Sequence, residues 1–258
     1  MRWQRCFSTS KKAYTVLRPD TERLWQYLQA NRALKGFVLV GGTALSMHLH
    51  HRISEDLDFM IPQTRLPRQQ IEGLRRVAGE AGFHFVPNDS IEGVREFEDT
   101  GLDYWDYMQD YIVAGTVKLT LVAPEKEVAT LLLPGLDDRP RLATLDEIFK
   151  LKCIACANRT KSRDWLDMYV LLKGNYFKPS DVYAAFEEAG VPMKFDIAMQ
   201  RMCRDSIPES DEGYDTLLPD PPTIAQMQKY FVELKGRIEE DVALKKASTP
   251  YQHPGTQA

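Results

Sequence analysis

Residues 37–59 read FVLVGGTALSMHLHHRISEDLDF, and the fold turns on them. The run GFVLV (36–40) is short, apolar and β-branched, which predicts a buried strand. Gly41 and Gly42 form the turn out of it, and Thr43 is the expected cap of a helix over TALSMHLHH. A second strand is expected over DLDFMI (56–61), stopping at Pro62. Side chains alternate across a strand, so Asp56 and Asp58 share one face while Leu57 and Phe59 share the other. The apolar pair can anchor the strand in a core. The carboxylates then project together, and two like charges side by side call for a compensating cation.

Outward from this centre, PDTERLWQYLQAN (19–31) reads as a first helix with Asp20 or Thr21 as cap. PRQQIEGLRRVAGEAGF (67–83) is an amphipathic helix, FHFV (83–86) a strand, and DYIVAGTVKLTLV (110–122) a hairpin turning near Ala114-Gly115. The prolines and glycine of LLLPGLDDRPRL (131–142) mark a boundary. Beyond it the pattern is helical. Thr144 to Glu147 is a capping box, Ser162 and Ser180 are expected caps, and Ile224, Met227, Phe231, Leu234, Ile238 and Val242 fall at helical spacing. The expected plan is α+β: a mixed-sheet domain over residues 15–130 and a helical domain over 140–246. Residues 1–14, a basic arm, and 247–258, which lack periodicity, are expected to be disordered.

Composition narrows the function. A net charge of −4 excludes a protein that coats nucleic acid, though not one with a local basic groove. The sequence contains neither a secretory segment nor a long apolar run, so a reducing cytoplasmic setting with no membrane partner is expected. Of the four cysteines, Cys153 and Cys156 form a C-x-x-C inside a helical pattern. No second pair or histidine set completes a zinc site, so both read as small core residues. His48, His50 and His51 lack the spacing of a ligand pair and read as structural. The aromatic run DYWDYMQDY (103–111) reads as core and rim rather than a base-stacking platform.

The chemistry sits in two blocks. In the first, two converging hard-oxygen carboxylates suit Mg²⁺, one ion or two, which keeps waters and binds substrate phosphates. Gly41 and Gly42 let backbone approach a ligand closely, and the N–H groups that open the following helix favour an anion. In the second block, DEIFKLKCIACANRTKSRDWLDMYVLL (146–172), Lys152 and Arg159 are seven residues apart and share a helix face that could close over a triphosphate. Arg163 and Asp167 are an i,i+4 pair able to orient one another.

Together these blocks resemble the AbiEii/AbiGii toxin family, within the DNA polymerase β-like nucleotidyltransferases. The first matches as GGTAL followed by R-x-S-x-D-x-D-F, and the second as a helix lysine, an arginine, then R-D-x-x-D. The resemblance implies Mg-dependent transfer of a nucleoside monophosphate from a nucleoside triphosphate (NTP) to an RNA end or a protein. It also implies a toxin-like role in a toxin–antitoxin or phage-defence pair, with a cognate antitoxin as partner. Carried onto this chain, the catalytic set is Asp56, Asp58, Lys152 and Asp164. Nucleotide contacts come from Gly41, Gly42, Thr43, Ser54, Lys152 and Arg163, and the metal lies on Asp56 and Asp58. One departure stands out: the superfamily carries a third carboxylate on a later strand, where this chain has Lys118 and Thr120. Asp103, Asp106, Asp110 and Glu125 remain open as substitutes. Two alternatives stay in view: transfer to a small molecule such as an antibiotic, which the acidic net charge favours over a tRNA acceptor, and, motivated by Thr120, a nucleotide-binding protein without turnover.

Overall fold

The computed structural model describes residues 16–133 and 138–248. The chain enters through α1 (Pro19–Ala30) and a short 3₁₀ turn, and then forms β1 (Val38–Val40), α2 (Gly41–Leu49) and β2 (Leu57–Met60). Helix α2 starts at Gly41, ahead of the expected Thr43 cap, and Val40 holds the cap position. Gly41 makes this possible. Its φ of +73° turns strand into helix with no intervening loop, a conformation that side chains with a Cβ rarely adopt. The Thr43 hydroxyl is used elsewhere: it lies 2.7 Å from the Ser54 hydroxyl and donates to the carbonyl of Asp56, pinning the chain just before β2.

After β2 come α3 (Arg68–Glu80), β3 (Phe85–Pro87), α4 (Ile91–Glu98), the hairpin of β4 (Met108–Val113) and β5 (Val117–Val122), the short α5 (Lys126–Ala129) and β6 (Arg141–Leu142). The six strands lie in the order β3-β4-β5-β2-β1-β6. Strand β2 is antiparallel to β1 and parallel to β5, so it sits between the two. Helix α4, with Val94 its one buried residue among eight, adds to the expected elements; Ser90 caps it, accepting from the Gly93 amide.

The two faces of β2 are used as its alternation predicts. Leu57 and Phe59 are fully buried, and the Trp25 ring of α1 lies 6.1 Å from that of Phe59. Ile71, Leu74 and Ala78 of α3 join that core. The other face holds Asp58 and carries α2, against which α6 (Leu145–Asn158) and α7 (Ser162–Lys173) pack.

Helices α8 (Pro179–Glu188), α9 (Lys194–Met202) and α10 (Ile224–Ser248) complete the chain. The buried side chains form one apolar cluster running from Leu17 in the α/β half to Ile238 in α10. The capping box at α6 forms as expected: Thr144 accepts from the Glu147 amide, and Glu147 accepts from the Thr144 amide. Two expected caps do not. Ser162 is the first residue of α7, and its amide and hydroxyl both donate to Asp211, at 2.7 and 2.6 Å. A carboxylate from a distant loop is the stronger acceptor for these helix-start donors. Helix α8 begins at Pro179, and Asp181 rather than Ser180 accepts from the preceding amide of Lys178.

In α10, Met227, Phe231, Leu234 and Ile238 are buried, while the side chain of Val242 lies outside the described residues. Residues 1–14, most of the 247–258 tail, Cys6 and residues 134–137 at the proposed boundary also lie outside them. Cys153 and Cys156 are buried and free, and burial raises both thiol pKa values. Among the described residues no helix is long and apolar enough to cross a membrane.

Candidate active site

Asp56 and Asp58 stand half-buried at the start of β2, beside the point where β1 turns into α2. Neither carboxylate accepts a hydrogen bond among the described residues. Burial raises the pKa of Asp58, and the neighbouring charge of Asp56 raises it further; Arg159, Lys152 and Lys118 act weakly against this. Burial likewise raises Asp56, opposed chiefly by Lys118 and Arg163. The pair is therefore short of positive charge.

The glycine turn presses against these acids. A Cβ on Gly41 would lie 2.7 Å from Oδ2 of Asp58, so only glycine lets the backbone come this near. A Cβ on Gly42 would lie 2.0 Å from Nη2 of Arg52 and would expel that guanidinium. Arg52 itself is buried and makes a two-pronged contact with Asp167 of α7, at 2.8 Å from Nε and 3.1 Å from Nη2.

Asp167 is the centre of a buried network. It also meets His51 Nε2 at 2.8 Å and Lys152 Nζ at 2.7 Å. Burial opposes its ionisation, yet Arg52, Lys152 and the bonds from His51 and Arg52 hold its pKa well below the carboxylate range. Lys152 is buried as well and reaches Asp164 at 2.6 Å. Asp164 in turn takes Nε of Arg159 at 2.8 Å. Burial again opposes ionisation of Asp164, and Lys152 and Arg159 overcome it.

Several expected pairings differ. Lys152 does not stand free as a point charge for phosphates, because its ammonium lies between two carboxylates. Arg163 does not orient Asp167; it turns outward to the Gly213 carbonyl at 2.9 Å and to Glu212 at 3.1 Å. Asp167 is claimed instead by three residues from two other places in the chain, His51 and Arg52 before β2 and Lys152 in α6. Arg159, at the C-terminal end of α6, keeps a side chain 60% exposed beside the acids.

The histidines are structural. His51 is buried on Asp167, His48 bonds the Ala143 carbonyl at 2.8 Å, and His50 closes α2 in the left-handed conformation. In the run 103–111, Tyr104 and Tyr111 are buried while Trp105 is exposed. Of the four candidate third acids, the structure brings Asp110 nearest in register. Asp58 lies opposite Thr120, Thr120 lies opposite Asp110, and the Thr120 hydroxyl donates to Asp110 at 2.6 Å.

Mg²⁺ fits the Asp56–Asp58 pair by the chemistry of the donor set, two ionisable hard-oxygen groups with no protein donor on them. Among the described residues no group of three or more metal-binding side chains converges. Two carboxylates are thus the share such an ion would take from the described residues.

Over residues 23–231 the sequence matches the family described as nucleotidyl transferase AbiEii toxin, type IV TA system. The chain belongs to the AbiEii nucleotidyltransferase toxin family. Membership implies a nucleotide as substrate and an antitoxin context. No curated protein matches the chain. A crystal structure from H. pylori, described there as a candidate nucleotidyltransferase, is similar at 21% identity and a TM-score of 0.42 over 85% of this chain and 95% of that one. Both blocks of this AbiEii chain fall inside the matched span, and the network around Asp167 ties them together. Arg52 stands in the R-x-S-x-D-x-D-F motif, but its role, like those of His51 and Asp211, is set by a partner at least 49 residues away.

Proposed function

We propose that this chain transfers a nucleoside monophosphate from an NTP to a hydroxyl acceptor, an RNA end or a protein, at the cleft formed by Gly41, Gly42, Asp56 and Asp58. The observation that carries the reading is the unsatisfied acid pair against which the glycine turn is packed. Mg²⁺ bound there would neutralise phosphate charge and align the attacking hydroxyl. The backbone at the start of α2 offers N–H groups to a phosphate. Arg159 brings an exposed guanidinium to the same side. In the reaction the acceptor oxygen bonds to the α-phosphorus, the bond to the bridging oxygen breaks, pyrophosphate leaves, and the hydroxyl proton passes to solvent.

Lys152 and Asp164 enter this reading as positioning residues. Their ion pair, with Arg159 on its outer side, sets where that guanidinium stands. Ser54 and Thr43 hold the Asp56 backbone, and Arg163 lines the rim with Glu212. The arrangement also supports a two-domain reading, residues 15–130 giving the acid pair with Arg52 and Lys118, and residues 140–246 giving Lys152, Arg159 and Arg163.

Thr120 favours one second reading, a nucleotide-binding protein without turnover, because the residue opposite Asp58 is a hydroxyl already committed to Asp110. Labelled NTPs incubated with Mg²⁺ and with cellular RNA or protein decide between them. Label transfer that is lost in Asp58→Ala is expected. Nucleotide binding without product on any acceptor supports the second reading, and neither binding nor transfer with all four nucleotides sinks both.

A further inference from the structure

Five cations act on the acid pair: Lys118, Arg163, Arg159, Lys152 and Arg52. Four of them are held by partners of their own. Lys152 lies between Asp164 and Asp167, Arg52 grips Asp167, Arg159 reaches Asp164, and Arg163 reaches Gly213 and Glu212. Lys118 is exposed and has no carboxylate within ion-pair distance among the described residues.

The strand register fixes its place. Strand β5 runs parallel to β2 with Leu57 opposite Leu119 and Asp58 opposite Thr120, so one step back sets Lys118 beside Asp56. Val117, Leu119 and Leu121 are buried toward the core, which leaves Lys118 on the face of the carboxylates. The glycine turn enters from β1, on the opposite flank of β2. The acids thus lie between the start of α2 on one side and an uncommitted ammonium on the other.

We propose that Lys118 is a substrate-binding residue that holds the outer phosphates of the nucleotide from the β5 side. The inference rests on the nucleotide-transfer reading of the same cleft. Lysine is suited to this as a compact, mobile point charge with three donors. A contact to the outer phosphates exists for a triphosphate and is absent for a monophosphate, and that difference is what the test reads.

The experiment is calorimetric titration of the full chain, with Mg²⁺, using each of the four nucleoside triphosphates and their monophosphates. Lys118→Ala should weaken triphosphate binding by about tenfold or more, the scale of a lost charge-assisted hydrogen bond. It should leave monophosphate binding and the melting temperature unchanged, and Lys118→Arg should recover most of the loss. Triphosphate binding unaltered in Lys118→Ala overturns the inference, as does an equal loss for triphosphate and monophosphate. A wild-type chain that binds no nucleotide overturns both this and the functional reading. One that binds triphosphate but transfers nothing sinks the transferase reading alone, and the titration still decides the role of Lys118.

Discussion

Replacing Asp167 by alanine removes the carboxylate through which Arg52, packed against the glycine turn, is tied to Lys152 of α6. The carboxylate is fully buried and meets His51 at 2.8 Å, Arg52 at 2.8 and 3.1 Å, and Lys152 at 2.7 Å. Its loss leaves the buried Arg52 guanidinium, among the described residues, with the Ile53 carbonyl at 3.1 Å as its remaining acceptor. Breaking a buried ion pair from one side costs about 3–5 kcal/mol. For a chain of this size that lowers the melting temperature by about 6–20 °C. Circular dichroism melts at neutral pH, in low and high salt, measure it, and salt should not erase the difference because the pair is out of reach of screening. The exposed pair of Lys35 and Asp138 has the same 2.6 Å separation as Lys152 and Asp164, so Lys35→Ala is the control, expected to leave the melting temperature unchanged. The pH dependence has a definite sign. Burial raises the Asp167 pKa, but its cations hold it well below the ordinary value. The stability it gives is therefore present above the unfolded-state pKa of about 3.9 and is lost as pH falls through the folded value. Wild type and variant should converge on acidification. A drop at neutral pH of less than about 2 °C, no more than a surface pair gives, would refute the network as a structural clasp.

The remaining expectations concern the turn and the acids. Gly41→Ala forces a Cβ at φ +73° to within 2.7 Å of Asp58. It should cost about 1–2 kcal/mol and abolish label transfer while the fold survives, as checked by melting and by the labelling assay. Gly42→Ala should displace Arg52 and mimic a weakened Asp167, so the two losses in melting temperature should fall short of additive in the double variant. Asp58→Asn should stabilise the metal-free protein at neutral pH. A folded pKa raised by burial and by Asp56 means that ionisation disfavours the fold as pH rises from the unfolded toward the folded value. The gain should therefore disappear below about pH 4, where both forms are neutral, and a pH series of melts reads this directly.

Much of this architecture was legible in the sequence because its causes are local. Strand alternation alone assigns Leu57 and Phe59 to the core and Asp56 and Asp58 to the opposite face, and the capping box at Thr144 needs only four consecutive residues. What was not legible depends on partners far along the chain. Ser162 has a capping residue's chemistry, but Asp211 supplies a better acceptor from 49 residues away, and the helix starts one residue earlier than a serine cap would place it. Arg163 sits one turn before Asp167, the spacing of an ion pair, yet Asp167 faces inward to Arg52 and Lys152 while Arg163 faces the 211–213 loop. Charge and spacing single out these residues without saying which will pair.

Asp58 and Asp167 make that point as a contrast. Both are aspartates, Asp167 fully buried and Asp58 half-buried, and burial pushes both toward the neutral form. At Asp167 two cations and a histidine reverse the push. At Asp58 the nearest strong charge is another carboxylate, and the flanking cations are held by other partners or stand off. One fold thus supplies a buried acid with every partner it needs and leaves another, on the strand beside the glycine turn, with none. Divergent environments for like groups are what acid and metal chemistry requires. The satisfied acid fixes the walls, and the unsatisfied pair is where a cation and its phosphates have something to gain by binding. If Lys118 holds those phosphates from the far side, the deficit at Asp56 and Asp58 is met by the substrate complex, and stability withheld from the free protein appears as affinity.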